Sequence, residues 1–124
     1  MSEAGTLKGS CHCGATRFEV TAPPKDVTRC NCTFCSKRGV LWAYYAPEQV
    51  TFTSRDQASA YDRNAPVVHH HCQRCGCGTW SDIPVWEDNA PVPGQFKVGL
   101  NARLFDDFNL DAVRVKFVDG RNLW

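Results

Sequence analysis

The chain has 124 residues and a net charge of +1 from 14 basic and 13 acidic residues, a length that suits one domain with a modest core. It has no run of like charges, which argues against an extended phosphate-binding face and so against nucleic acid as a partner. No segment reaches the roughly 18 apolar residues that cross a bilayer, and residues 1–6 lack the build of a secretory signal. We therefore expect a cytoplasmic protein with no membrane partner.

Short β-strands separated by glycines and prolines are predicted for most of the chain. Residues 1–6 read as a flexible leader to a single domain over residues 7–120. Polar–apolar alternation and β-branched or aromatic content predict strands over residues 16–20, 40–45, 50–53, 58–61, 67–71, 79–82, 96–100 and 113–117. Residues 37–39 are predicted as a turn, and three prolines predict a loop over residues 84–93. Helical periodicity is limited to a turn or two near residues 47–49 and 109–112, so the fold is predicted to be mainly β.

Eight cysteines form the densest chemical feature of the sequence. They fall into three groups, which are Cys11 and Cys13; Cys30, Cys32 and Cys35; and Cys72, Cys75 and Cys77. A cytosolic compartment keeps thiols reduced, and two thiolates on one tight turn can both reach a tetrahedral ion. The pattern therefore favours zinc over disulfides.

The assignment of thiols to metals depends on loop closure. A structural zinc takes four protein ligands, whereas a catalytic zinc keeps one position open. Linking the first and third groups closes a loop of about sixty residues and restricts the unfolded chain far more than a local site would. This pairing predicts a four-cysteine site made of Cys11, Cys13, Cys72 and Cys75, and leaves a three-thiolate cluster made of Cys30, Cys32 and Cys35. Cys77 either completes that cluster or packs as a small buried side chain beside the third group.

Three ordered cysteine motifs give the chain a resemblance to a known family. The segments GSCHCGA (residues 9–15), CNCTFC (30–35) and CQRCG (72–76), with LNARLFDD (100–107), resemble the glutathione-dependent formaldehyde-activating enzyme family, also called the centromere protein V type domain. The resemblance implies a β-tent fold of short antiparallel strands with cysteine knuckles and two bound zinc ions. In the family, the positions that match Cys11, Cys13, Cys72 and Cys75 hold a structural zinc. The positions that match Cys30, Cys32 and Cys35 hold a second zinc associated with activity.

The activity implied by this resemblance is that of a carbon–sulfur lyase. The family's founding reaction is the reversible addition of glutathione to formaldehyde, which implies a small-molecule thiol and an aldehyde as partners and glutathione as a co-substrate. A zinc that already carries three thiolates is a moderate Lewis acid, which suits exchange of sulfur ligands better than activation of water. The alternative is a non-catalytic zinc-binding scaffold or partner-binding module, which a fourth ligand at Cys77 would favour. A sulfoxide reductase would need a reactive cysteine after the last knuckle, and residues 78–124 contain none.

Four histidines offer further ligands. In a strand, His69 and His71 share one face and His70 points away, so the pair could contribute to a metal site or form hydrogen bonds at its rim. The abundance of thiolates nearby favours the rim. His12 lies between two cysteines and cannot easily bind the same ion as both, which predicts a solvent-facing side chain.

Cationic and aromatic side chains near the knuckles also have two interpretations. Lys37 and Arg38 either attract a substrate carboxylate or are solvated charges of a turn, and the latter is the default. The large aromatic residues either wall a ligand pocket or fill the core, with core packing as the default; they are Trp42, Tyr44, Trp80 and Trp86. Trp80 follows the third knuckle closely and is expected near a metal.

Overall fold

The computed structural model describes residues 6–61 and 66–123 and confirms the mainly β prediction. Most of the described chain lies in ten strands, with two short α-helices. The strands are β1 (Leu7–Ser10), β2 (Arg17–Val20), β3 (Asp26–Cys30), β4 (Trp42–Tyr45), β5 (Val50–Ser54), β6 (Ala58–Tyr61), β7 (Val68–Cys72), β8 (Gly78–Glu87), β9 (Ala90–Asn101) and β10 (Arg114–Val118). The α-helices are α1 (Thr33–Arg38) and α2 (Gly120–Leu123), and single 3-10 turns cover Pro47–Gln49 and Ala102–Leu104.

Two sheets organise these strands. The smaller has the order β1-β2-β5, and the larger has the order β10-β3-β4-β9-β8-β7-β6. All neighbours are antiparallel except β10 and β3, which run parallel with Arg114 opposite Asp26. An isolated bridge between Gly9 and Phe105 ties the smaller sheet to the segment that follows β9.

The main core lies where the two sheets face each other. Phe18 and Val20 of β2 are fully buried, as are Ala43 of β4 and Leu100 of β9. A smaller cluster contains Cys30, Cys35, Val40 and Trp42. The second cysteine group is therefore built into an apolar neighbourhood that is continuous with the centre of the larger sheet through β4.

The predicted loop over residues 84–93 is wrong, because this region forms a long hairpin of β8 and β9. Asp88 and Asn89 both have positive φ, 51° and 64°, which is the type I′ geometry of a two-residue hairpin turn. Strand β8 is paired with β7 only as far as Asp82, and β9 with β4 only from Val98 onward. Beyond those points the hairpin is a two-stranded arm, and no third strand of residues 6–61 or 66–123 pairs with its outer edges, where proline removes no ladder hydrogen bond that the sheet needs.

Helix α1 was not predicted, and neither were β1 and β3. Residues 37–39 form the end of this helix rather than an isolated turn, since Gly39 terminates it with φ of 67°. Six residues are too few to show helical periodicity in a sequence. The Pro47–Gln49 turn is confirmed, whereas residues 109–112 form a turn without a helix.

The remaining predicted strands all have counterparts in the structure, with shifted ends at several of them. Of the predicted leader, residues 1–5 lie outside the described residues, and the first strand begins at Leu7. Within the described part of the chain, no helix has the length and apolar content needed to cross a membrane. The domain limits and the cytoplasmic location remain predictions.

Candidate metal centre

The first and third cysteine groups meet at one point of the structure. The sulfurs of Cys11, Cys13, Cys72 and Cys75 all lie within 4.8 Å of one another. Cys11 and Cys13 follow β1, Cys72 is the last residue of β7, and Cys75 lies in the turn that leads to β8. The Cys13 Sγ is 3.7 Å from the Cys11 Sγ and 3.6 Å from the Cys72 Sγ. Two sulfurs bound at about 2.3 Å to a tetrahedral zinc would be about 3.8 Å apart, so this four-sulfur cluster has the dimensions of a zinc site.

Backbone amides surround this four-sulfur cluster. The Thr16 amide donates to the Cys11 Sγ at 3.3 Å. Burial raises the pKa of Cys75, but hydrogen bonds from the Cys77 and Cys13 amides and from the Cys11 thiol outweigh it and lower that pKa to about 5. The Ala15 amide lowers the pKa of the exposed Cys13, but the neighbouring Cys72, Cys11 and Cys75 thiols and partial desolvation together outweigh it and raise that pKa to about 11. Burial opposes ionisation of Cys11, yet the pKa of Cys11 is also lowered, by the Thr16 amide and by the Cys13 and Cys72 thiols. Without a cation the cluster therefore favours thiolates at Cys75 and Cys11 and opposes one at Cys13, which a divalent ion would let ionise.

The middle group forms a second cluster, in which Cys30, Cys32 and Cys35 bring their sulfurs within 4.8 Å of one another. Cys30 ends β3, and Cys32 is the N-cap of α1, where its sulfur accepts from the Cys35 amide at 3.4 Å. The Cys30 sulfur accepts from the Cys32 amide at 3.4 Å. The Cys35 sulfur instead accepts from a side chain, the Trp42 Nε1, at 3.3 Å. Each sulfur of this three-sulfur cluster thus receives at least one N–H hydrogen bond, which favours the thiolate form.

The three thiols of this second cluster differ in acidity. Burial raises the pKa of Cys35 to about 12, against the lowering effect of the Trp42 hydrogen bond. Burial also opposes ionisation of Cys32, yet the pKa of Cys32 is lowered by the Cys35 amide and by the Cys35 and Cys30 thiols. The protein alone therefore favours one thiolate in this cluster, at Cys32. An all-sulfur donor set that is partly buried fits a thiophilic ion such as zinc.

Cys77 belongs to neither cluster. Among residues 6–61 and 66–123, no fourth cysteine, histidine or carboxylate atom joins the three sulfurs of the second cluster within the same 4.8 Å spacing. Cys77 lies beside the first cluster, where burial raises its pKa and Cys75 and Cys11 add to the effect. The geometry therefore favours the interpretation of Cys77 as a neighbouring side chain over that of a fourth ligand.

The histidines lie outside both clusters. His12 is exposed, as predicted. The buried His69 Nδ1 is 2.6 Å from the Ser81 Oγ, and the His70 Nε2 is 2.9 Å from a carboxylate oxygen of Asp82. The expected hydrogen-bonding role therefore holds for His69, whereas the buried Nδ1 of His71 has no hydrogen-bond partner in the described structure.

A cleft of about 290 Å³ opens beside the second cluster and is lined by Cys30 and Cys35. Two exposed arginines, Arg29 and Arg103, also line it, and sequence reasoning missed both. Arg103 is anchored by a 2.6 Å hydrogen bond from its Nε to the Gly39 carbonyl oxygen. Arg29 precedes Cys30 directly, and that adjacency was the one signal in the sequence that could have identified it.

Of the cations and aromatic residues considered in the sequence, Trp42 alone donates a hydrogen bond to a cysteine sulfur in the described structure. Lys37 and Arg38 line a separate cleft of about 360 Å³ with Tyr61, and the Arg38 guanidinium lies 4.9 Å from the Phe34 ring centre. Trp42 rather than Trp80 donates to a cysteine sulfur. The four aromatic residues divide into a buried pair, Trp42 and Trp80, and an exposed pair, Tyr44 and Trp86.

Comparisons with known proteins agree with this geometry. A crystal structure of a Rhodobacter sphaeroides protein matches the fold with a TM-score of 0.67 at 24% identity, covering 88% of this chain and 99% of that one. A curated Halomonas elongata protein is 33% identical over a match that covers 66% of this chain and 59% of its own length; it has the provisional name of a glutathione-dependent formaldehyde-activating enzyme. The chain thus spans about three fifths of that relative. The family model described as "Glutathione-dependent formaldehyde-activating enzyme" matches residues 6–108. The chain therefore belongs to the glutathione-dependent formaldehyde-activating enzyme family.

Proposed function

We propose that the protein is a zinc-dependent carbon–sulfur lyase that forms or cleaves a thiol–aldehyde adduct at the three-sulfur cluster. In this proposal Cys11, Cys13, Cys72 and Cys75 hold a structural zinc, and the second cluster holds the zinc used in the reaction. The observation that carries the proposal is a set of three converging sulfurs beside a cleft, with no fourth ligand atom grouped with them in the described residues. A site of this kind retains a coordination position for a substrate.

The reaction requires no redox partner. A thiol sulfur bonds to the aldehyde carbon, the carbonyl π bond breaks, and the thiol proton ends on the resulting hydroxyl oxygen. The reverse reaction breaks the same carbon–sulfur bond and returns the proton to sulfur. Zinc bound by Cys30, Cys32 and Cys35 would supply Lewis acidity and lower the pKa of the substrate thiol.

The contribution of this chain's own residues is to orient a charged thiol. Arg29 and Arg103 line the same cleft as Cys30 and Cys35, and a guanidinium can bind a carboxylate through two parallel hydrogen bonds. The Arg103 Nε is already engaged by the Gly39 carbonyl, which restricts the orientation of the group. Glutathione has two carboxylates and one thiol, so this charge distribution supports it as the co-substrate.

Exchange NMR of carbon-labelled formaldehyde with glutathione tests the proposal. The zinc-loaded protein is expected to accelerate interconversion of free and adduct formaldehyde, and C32S is expected to abolish the acceleration and to lose one zinc. C77S is the matched control, because Cys77 lies outside both clusters, and it should retain activity and both zincs. An R29A/R103A variant should lose rate with glutathione while keeping its rate with the uncharged thiol 2-mercaptoethanol.

The alternative of a non-catalytic zinc scaffold predicts a different outcome. A protein that carries two zincs and leaves the exchange rate of both thiols at the uncatalysed value would overturn the lyase proposal and favour the scaffold.

A further inference from the structure

The indole of Trp42 makes a contact that the sequence motifs do not predict. Its Nε1 donates a hydrogen bond to the Cys35 Sγ at 3.3 Å, and both residues are buried. The Cys30 and Cys32 sulfurs accept from backbone amides of the same knuckle, so those bonds accompany the local chain path. The bond to Cys35 depends on a side chain seven positions away, in a different element.

The fold restricts the position of this indole. Trp42 begins β4, where its backbone pairs with Thr28 of β3 and Asn101 of β9 in the interior of the larger sheet. Its ring is stacked against the His69 ring, with centroids 6.0 Å apart and planes 25° apart. On the opposite strand, a Cβ added at Gly99 would lie 3.2 Å from the Trp42 Cε3, so the glycine provides the space that the ring occupies.

His69 packs against both this indole and helix α1, which contains Cys35. The His69 ring stacks on Phe34, which lies between Cys32 and Cys35, at a centroid distance of 3.7 Å. The His69 Nδ1 is within hydrogen-bond distance of the Ser81 Oγ, at 2.6 Å. The donor to the Cys35 sulfur and the helix that contains Cys35 are thereby packed on the same buried imidazole.

We infer that Trp42 is a positioning residue of the three-sulfur cluster, which tunes the Cys35 sulfur through its indole N–H; the inference rests on the proposed metal at that cluster. A hydrogen bond to a metal-bound thiolate withdraws electron density from sulfur and fixes its orientation. It also favours the thiolate form of Cys35, which is the form that would bind a metal held by the cluster. Removing such a ligand partner typically reduces metal affinity 10–100-fold.

Cadmium NMR and zinc competition titrations test this role with the full chain. Wild-type protein loaded with cadmium should show two resonances, one for each cluster, because the two donor sets differ. W42F should move only the resonance of the three-sulfur cluster and should weaken zinc binding there about tenfold. W80F is the matched control, because Trp80 is also buried and its Nε1 has no hydrogen-bond partner in the described structure.

The outcomes separate this inference from the proposed function. The role of Trp42 is supported if W42F moves the resonance of the three-sulfur cluster alone and W80F moves neither resonance. Two wild-type resonances that W42F leaves in place, or that W80F moves equally, would overturn the role while leaving the metal proposal intact. A single wild-type resonance would remove the metal from the three-sulfur cluster and overturn both.

Discussion

Removing the sulfurs that the N-terminal knuckle contributes to the four-sulfur cluster should destabilise the fold strongly. Cys13 and Cys72 are 59 residues apart in sequence, and their sulfurs are 3.6 Å apart in the structure. A metal that joins them closes a loop of this length. The double variant C11S/C13S opens the loop with near-isosteric side chains, and the metal would then be held only from the other segment.

The magnitude follows from chain entropy. Using the loop-closure relation for a covalent cross-link, closure over 59 residues restricts the unfolded chain by about 4 kcal/mol at room temperature. For a domain of this size, 1 kcal/mol corresponds to roughly 4 °C, so the double variant should melt roughly 15 °C lower than wild type.

Calorimetry of the zinc-loaded proteins, with metal content measured in parallel, checks this expectation. C77S serves as the control, because Cys77 lies next to the same cluster without belonging to it. C77S should keep two zincs and the wild-type melting temperature. The reasoning would be refuted by a C11S/C13S protein that retains both zincs or that melts together with C77S.

Two further predictions concern stability away from the metals. A Cβ at Gly9 would lie 2.5 Å from the Phe18 ring, so G9A should reduce the free energy of unfolding, measured in urea titrations, by about 1–3 kcal/mol. K8A is the control, because Lys8 is exposed and its truncation should leave the free energy of unfolding unchanged. Equal effects of the two variants would contradict the packing argument. Hydrogen bonds, above all from Asn122, lower the pKa of Asp119, so the contribution of Asp119 to folding stability is present at neutral pH and is lost as pH falls through its folded-state pKa. D119N should therefore flatten the acid side of the profile of unfolding free energy against pH. A profile that D119N leaves unchanged would contradict this role of Asp119.

The chemistry of the clusters could be predicted from the sequence because their ligands are specified by residue type and spacing. Cysteine is the residue that can assemble an all-sulfur site, and the loop-closure argument grouped Cys11 and Cys13 with Cys72 and Cys75, as the structure does. The mainly β fold was predictable for a similar reason, since alternation in β2, β5 and β10 is a local property of the chain.

Tertiary structure decided the features that depend on which strands become neighbours. The prolines of β8 and β9 are tolerated because those segments extend beyond their sheet neighbours, and no local pattern reports how far a neighbouring strand reaches. The position of Cys77 beside Cys75 and Cys11, the cleft lined by Arg29 and Arg103, and the donor from Trp42 to Cys35 have the same origin. Residue type and spacing determined which side chains could hold a metal, whereas the pairing of β4 with β3 and β9 determined which side chains surround the three-sulfur cluster, because contacts between distant segments leave no periodic signal in the sequence.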